Sequence, residues 1–204
     1  MKKIDPKTLD AVLPQTQCGE CGYPGCLPYA EALAYGQATI DCCPPGGIKT
    51  LKALSQLLHI DSTPYFKQVE QNTRHPQIAI IREAECIGCT KCIPACPVDA
   101  IIGSPKHMHS VLKDSCTGCG LCVAPCPVDC ITLVEIPTAE YDPDVARAQY
   151  QAKKIRELRE RQTKEKRYQE KRKLVQNQKD PAQEDAAAKR TYILNAIARV
   201  NKKT

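Results

Sequence analysis

The sequence predicts an α+β chain in four parts: a small N-terminal domain (residues 1–61), a polar linker (62–77), a compact domain built from a doubled repeat (78–136) and a long charged helical tail (137–204). Three observations carry this reading. A cysteine-rich string is written twice, some thirty residues apart. A second, glycine- and proline-rich cysteine group precedes it. The composition changes sharply after Glu140. With 14 cysteines in 204 residues and no apolar signal segment, the thiols read as metal ligands of an intracellular protein rather than as disulfides.

The doubled string defines the chemistry. Its first copy is Cys86-Ile-Gly-Cys89-Thr-Lys-Cys92-Ile-Pro-Ala-Cys96-Pro97, and its second is Cys116-Thr-Gly-Cys119-Gly-Leu-Cys122-Val-Ala-Pro-Cys126-Pro127. Each is C-x2-C-x2-C-x3-C-P, the run that holds two cubane [4Fe-4S] clusters in bacterial-type ferredoxins. A cube needs four soft thiolates, one per iron. Three cysteines three residues apart curl around one cube, and the fourth, before proline, ligates the other. The expected ligand sets are therefore crossed: Cys86, Cys89, Cys92 and Cys126 for one cube, Cys96, Cys116, Cys119 and Cys122 for the other. Zinc sites use two C-x2-C pairs with a longer spacer, so this spacing excludes them. Short apolar segments flank the cysteines: Ile78 to Ile81, Ala100 to Ile102, Val111-Leu112 and Cys130 to Val134. Each copy then reads as strand, cluster loop, helical turn and strand. So small a unit buries little apolar surface, and ligation must supply much of its folding free energy.

The N-terminal group is Cys18-Gly-Glu-Cys21-Gly-Tyr-Pro-Gly-Cys26, followed by Cys42-Cys43-Pro-Pro-Gly-Gly. Three clustered cysteines and a distant fourth suit a third cube, with zinc as the alternative that spacing leaves open. Spacing does not choose between Cys42 and Cys43. Twelve thiolates serve three cubes, which leaves Cys130 and one of Cys42 and Cys43 as buried small side chains. A helix is expected over 27–36, and a second one, carrying Leu51, Leu54, Leu57 and Leu58, in 48–77. The linker is expected to leave the two cluster domains some freedom of relative motion.

With these motifs in place, the chain resembles the RnfB (RsxB) family, the B component of the Rnf electron-transport complex, from about Leu13 to Leu133. The strings that carry the resemblance are Leu13 to Cys26, Cys43 to Gly47, Cys86 to Ile101, Met108-His109 and Cys116 to Cys119. The resemblance implies a [4Fe-4S] site of pattern C-x2-C-x4-C-x16-C, which falls on Cys18, Cys21, Cys26 and Cys43. It also implies a relay subunit on the cytoplasmic face of a membrane complex that couples electron transfer between reduced ferredoxin and a nicotinamide pool to ion movement. Two features depart from the family pattern. The chain reaches Cys18 with no apolar run of the roughly twenty residues a membrane span needs, so the expectation is a variant without the N-terminal transmembrane helix. The other departure is the tail.

Residues 141–204 hold 18 Lys+Arg against 9 Asp+Glu, net +9; residues 1–140 hold 11 against 14, net −3. Each cube with four thiolates adds about −2, or about −6 for three. The holo-protein is then near neutral, with an acidic head and a basic tail. Residues 145–178 read as a long solvated helix, with Ile155, Leu158, Tyr168, Leu174 and Val175 too sparse for a core stripe and with pairs such as Glu157–Arg161 and Glu160–Lys164. Asp180-Pro181 is expected to break it. A second helix over 183–200, with Ile193, Leu194, Ile197 and Val200 on one face, is expected to pack back on the head. The basic tail can also meet an acidic partner or an anionic membrane surface. Nucleic acid is disfavoured, since no groove-reading motif accompanies the charge.

No bond-making constellation stands out, and no Gly-rich phosphate loop supports flavin or nicotinamide binding. His107 and His109 are expected beside the cluster ligands or in an exposed loop, not as ligands; His59 and His75 have no constellation around them. The favoured function is a relay subunit of an Rnf-like redox complex, cytoplasmic and peripherally bound, with redox proteins as partners. The alternatives are a stand-alone soluble ferredoxin-type carrier for a separate oxidoreductase and a non-redox scaffold.

Overall fold

The computed structural model describes residues 4–201, with side chains described except at 176–187, 196 and 199–201. Helices and two small sheets make an α+β architecture, which divides after Lys154 into a compact head and a helical second unit.

The N-terminal part of the head is helical. Asp5 caps α1 (Pro6–Ala11) by accepting from the Lys7 amide at 3.1 Å, with proline at the first helical turn. The cysteine loop leads into α2 (Cys26–Ala34), and α3 (Gly47–Leu58) follows. Residues 62–77 are not an open linker. They hold a turn at Thr63–Tyr65 and α4 (Phe66–Asn72), whose Val69 is buried with Leu9, Leu13, Tyr29, Leu33, Leu51 and Leu54 in one core. The segment is polar except where it packs, and one buried valine per two turns is too weak a signal to mark a helix.

The second part contains the doubled repeat. Strand β1 (Gln77–Ile81) enters the first cysteine loop, which passes through α5 (Cys92–Ala95) to β2 (Ile101–Ile102). Strand β3 (Ser110–Val111) enters the second loop and leaves by β4 (Ile131–Glu135). The strands pair across the repeats. β1 lies antiparallel to β4, with Ala79 opposite Leu133 and Ile81 opposite Ile131; β2 lies antiparallel to β3, with Ile101 opposite Val111. The start of each copy thus pairs with the end of the other, as a pseudo-twofold requires. The loops repeat their backbone as well: Gly88 and Gly118, both at the third position of the run, sit at φ +68° and +64°. A Cβ would fall 2.5 Å from the His107 amide nitrogen at the first and 2.0 Å from the Gln77 carbonyl oxygen at the second, so only glycine fits either turn.

The last helix, α6 (Pro143–Asn201), begins in the head. Asp142 caps it, accepting from the Asp144 amide at 2.7 Å. Ala146 is buried against the repeat core. Arg147 donates to the Asp10 carboxylate at 2.9 Å and to its carbonyl at 3.1 Å, and Tyr141 donates to the Pro14 carbonyl at 2.8 Å. Lys153, 4 % exposed, donates to the carbonyls of Pro94 and Cys96. These contacts tie both parts of the head to one helix, against the expectation of relative freedom.

Beyond Lys154 the helix is solvated, with Leu158, Tyr168, Leu174 and Val175 exposed. It runs through Asp180-Pro181 without the expected break. Proline removes a single i→i−4 bond, and helix on both sides keeps the remaining ladder. Ile193, Leu194 and Ile197 are exposed, not buried as expected; the side chain of Val200 lies outside those described. No helix among the described residues is long and apolar enough to cross a membrane.

Candidate metal centres

The head holds three apolar cavities, each walled by four of the cysteines singled out by their spacing. The first is lined by Cys18, Cys21, Cys26 and Cys43. The second is lined by Cys86, Cys89, Cys92 and Cys126, with Cys130 beside them, its Sγ 3.5 Å from that of Cys126. The third is lined by Cys96, Cys116, Cys119 and Cys122. The crossing of Cys96 and Cys126 follows from the turn before each proline, which sends the fourth thiol of each run toward the other copy. Cys42 does not line the first cavity; its Sγ lies 3.3 Å from Thr39 Oγ1. Among the described residues no three His, Cys, Asp or Glu side chains converge closely enough for a single metal ion. Four sulfurs spread around a cavity suit a group that gives each thiolate its own iron.

A chain of amides that sequence reasoning missed builds the first cavity. Gln15 and Gln17 sit at φ +59° and +56° and are buried. The Gln15 amide donates to the Asp10 carbonyl at 2.7 Å, Gln17 donates to Gln15 Oε1 at 2.8 Å, and Gln17 Oε1 accepts from the Cys26 amide at 3.0 Å. Asp10 is also the partner of Arg147, so the relay links α6 to the cysteine loop. The only signal in the sequence is a pair of amide side chains around Thr16, next to a proline.

The cavity walls are apolar, and burial raises several of the thiols that line them. Burial pushes Cys26 and Cys43 up to about 12 in the first cavity, and Cys119 to about 11 and Cys122 to about 12 in the third. Cluster binding must displace those protons. Backbone N–H groups already point at sulfur: Ala100 to Cys96 at 3.2 Å and Ala79 to Cys116 at 3.5 Å. Such donors stabilise a thiolate and the added charge of a reduced cluster. The donor set, the apolar walls and the N–H···S bonds all fit [4Fe-4S] cubes.

The first and third cavities adjoin. Thr117, which lines the third, donates to the carbonyl of Thr16, which lines the first, at 3.1 Å in a buried bond.

This fold and donor set define an iron–sulfur protein of the ferredoxin type. A 4Fe-4S dicluster domain matches residues 79–133, and a putative Fe-S cluster domain matches residues 13–45. Proteins named as the B subunits of ion-translocating oxidoreductase complexes are similar over most of the head. The Shewanella loihica protein is 62 % identical over 131 residues, 64 % of this chain and 67 % of the relative. The Alkalilimnicola ehrlichii protein is 59 % identical over 128 residues, 63 % of this chain and 69 % of the relative. The Pseudomonas aeruginosa protein is 62 % identical over 129 residues, 63 % of this chain and 66 % of the relative. The chain spans about two thirds of the length of these relatives and belongs to their family, RnfB.

Proposed function

We propose that the chain relays single electrons through three [4Fe-4S] clusters as the RnfB component of an Rnf-type ion-translocating oxidoreductase complex. The ligands are Cys18, Cys21, Cys26 and Cys43 for the first cube, Cys86, Cys89, Cys92 and Cys126 for the second, and Cys96, Cys116, Cys119 and Cys122 for the third. The observation that carries this reading is the set of three cavities, each walled by one of these sets of four cysteines, two of which exchange a cysteine and two of which share the Thr16–Thr117 contact. When bound, a [4Fe-4S] cube takes up and gives up one electron with no substrate bond made or broken. The protein's own part is to hold the thiolates, exclude water and aim N–H groups at sulfur, which sets how readily each site accepts charge.

The contacts give the sites a linear order. The N-terminal site adjoins the Cys96/116/119/122 site through Thr16 and Thr117. That site adjoins the Cys86/89/92/126 site through the crossed cysteines. Electrons therefore enter or leave at the N-terminal and Cys86/89/92/126 ends, where redox subunits of the complex dock. The basic outer part of α6 makes a peripheral contact with the anionic cytoplasmic face of the membrane.

Pulsed EPR of the fully reduced holo-protein tests the order. Three interacting centres are expected, with the N-terminal one coupled more strongly to one dicluster centre than to the other. Equal coupling to both, or none, contradicts the linear arrangement.

A further inference from the structure

The two dicluster cavities are related by the thirty-residue offset of the repeat, so each wall position has a counterpart. Ile81 corresponds to Val111, Ile131 to Ile101, and Cys126 to Cys96, and each lines its own cavity. Three wall positions differ in hydrogen-bonding chemistry: His109, Cys130 and Ile87 line the Cys86/89/92/126 cavity where Ala79, Ala100 and Thr117 line the other, and of these His109 alone places a ring nitrogen on a ligand sulfur.

His109 is 1 % exposed, whereas His59, His75 and His107 are exposed. Its Nδ1 lies 3.2 Å from Cys92 Sγ. Its Nε2 is buried and has no hydrogen-bond partner among the described residues. Gly103 makes room for the ring, since a Cβ there would fall 2.1 Å from His109 Cδ2. The imidazole is thus wedged with one nitrogen on sulfur and the other in an apolar wall. A metal-bound thiolate only accepts hydrogen bonds, so the ring proton belongs on Nδ1 and Nε2 is left as a bare lone pair. Cys86, Cys89, Cys92 and Cys126 are a complete set for a cube, with Cys130 against Cys126 at 3.5 Å, which leaves no iron for the imidazole.

We propose that His109 is a tuning residue. It donates an N–H···S hydrogen bond to Cys92 and raises the reduction potential of the cube at Cys86, Cys89, Cys92 and Cys126 above the value that cube would have without the imidazole. A donated hydrogen bond draws charge from the sulfur and favours the more negative, reduced state. The inference rests on the ligand assignment proposed above. It makes the terminal dicluster site a better electron acceptor than its thiolates alone would.

Three measurements on the full holo-protein test it. Iron content of His109→Phe shows whether the cube persists; about twelve irons per chain are expected, four per cube. EPR-monitored titration should then show one midpoint lowered and the other two unchanged, with His109→Gln, which keeps a donor, shifted less than His109→Phe. A full iron complement with no midpoint shifted, or with all three shifted alike, overturns the tuning role while leaving the ligand assignment standing. For the case in which His109→Phe loses one cube, wild-type protein carrying 15N-histidine decides by pulsed EPR. A weak coupling from one histidine nitrogen, of hydrogen-bond size, supports the proposal. A coupling of direct-ligation size, or none, overturns it. Loss of that cube on substituting Cys86 or Cys89 checks the ligand assignment separately.

Discussion

At the scale of single residues, the cysteines are legible because cubane chemistry restricts their spacing so tightly. Twelve of the fourteen line three separate cavities in the sets of four that the spacing and the family resemblance imply, and Cys130 joins the wall of the Cys86/89/92/126 cavity. Between Cys42 and Cys43 spacing is silent, and the backbone separates them: Cys43 lines the cavity and Cys42 lies against Thr39. Cys43→Ala should cost one cube, about four irons per chain by the stoichiometry of the cluster, and Cys42→Ala should cost none. Iron and sulfide analysis of the two purified variants checks this; equal loss in both contradicts the assignment. The amides of Gln15 and Gln17 are not legible as structural parts. Their role depends on left-handed backbone angles and on Asp10 and Arg147, which lie 137 residues apart in the chain. His109 is legible only as a residue near the ligands; its burial comes from the approach of Gly103 across the β2–β3 turn.

At the scale of elements, strands β1 to β4 and helices α2 and α3 follow from apolar patterning, and their pairing follows from the repeat. What patterning misses is the inlaid start of α6. The string around Lys153 reads as a solvated charge run, because a lysine that caps carbonyls in a buried niche looks like any other lysine. Its side chain is 5 % exposed and faces Pro94, Cys96 and Asp99. Lys153→Met removes a charged donor and leaves buried carbonyls unpaired, a loss of about 2 kcal/mol. Denaturant unfolding of the holo-protein, followed by cluster absorbance, should show a lower midpoint for this variant. An unchanged midpoint means that the start of α6 does not brace the head. Prolines also mislead at this scale: Pro181 signals a break, yet one missing hydrogen bond does not end a helix of 59 residues.

At the scale of the whole molecule, charge is segregated along the chain. The head is acidic before its clusters are counted and more so after, and the outer part of α6 is basic. Surface attraction of this kind is screened within about 10 Å at 0.1 M salt. The holo-protein should bind vesicles containing anionic lipid at low salt, leave them on addition of salt, and ignore neutral vesicles. Cosedimentation measures this; binding that survives high salt, or that does not depend on lipid charge, contradicts an electrostatic contact through α6. The head itself is braced as one body by the start of α6 and by the Thr16–Thr117 bond, so the order of the sites does not depend on a hinge at residues 62–77.

The central claim is that three cubes, not two, are held by one chain. Iron and acid-labile sulfide per chain, determined on anaerobically purified and reconstituted protein, test it most directly. About twelve of each are expected, four per cube. About eight of each, the complement of two cubes, with the N-terminal cysteines free to react with a thiol reagent, would contradict it.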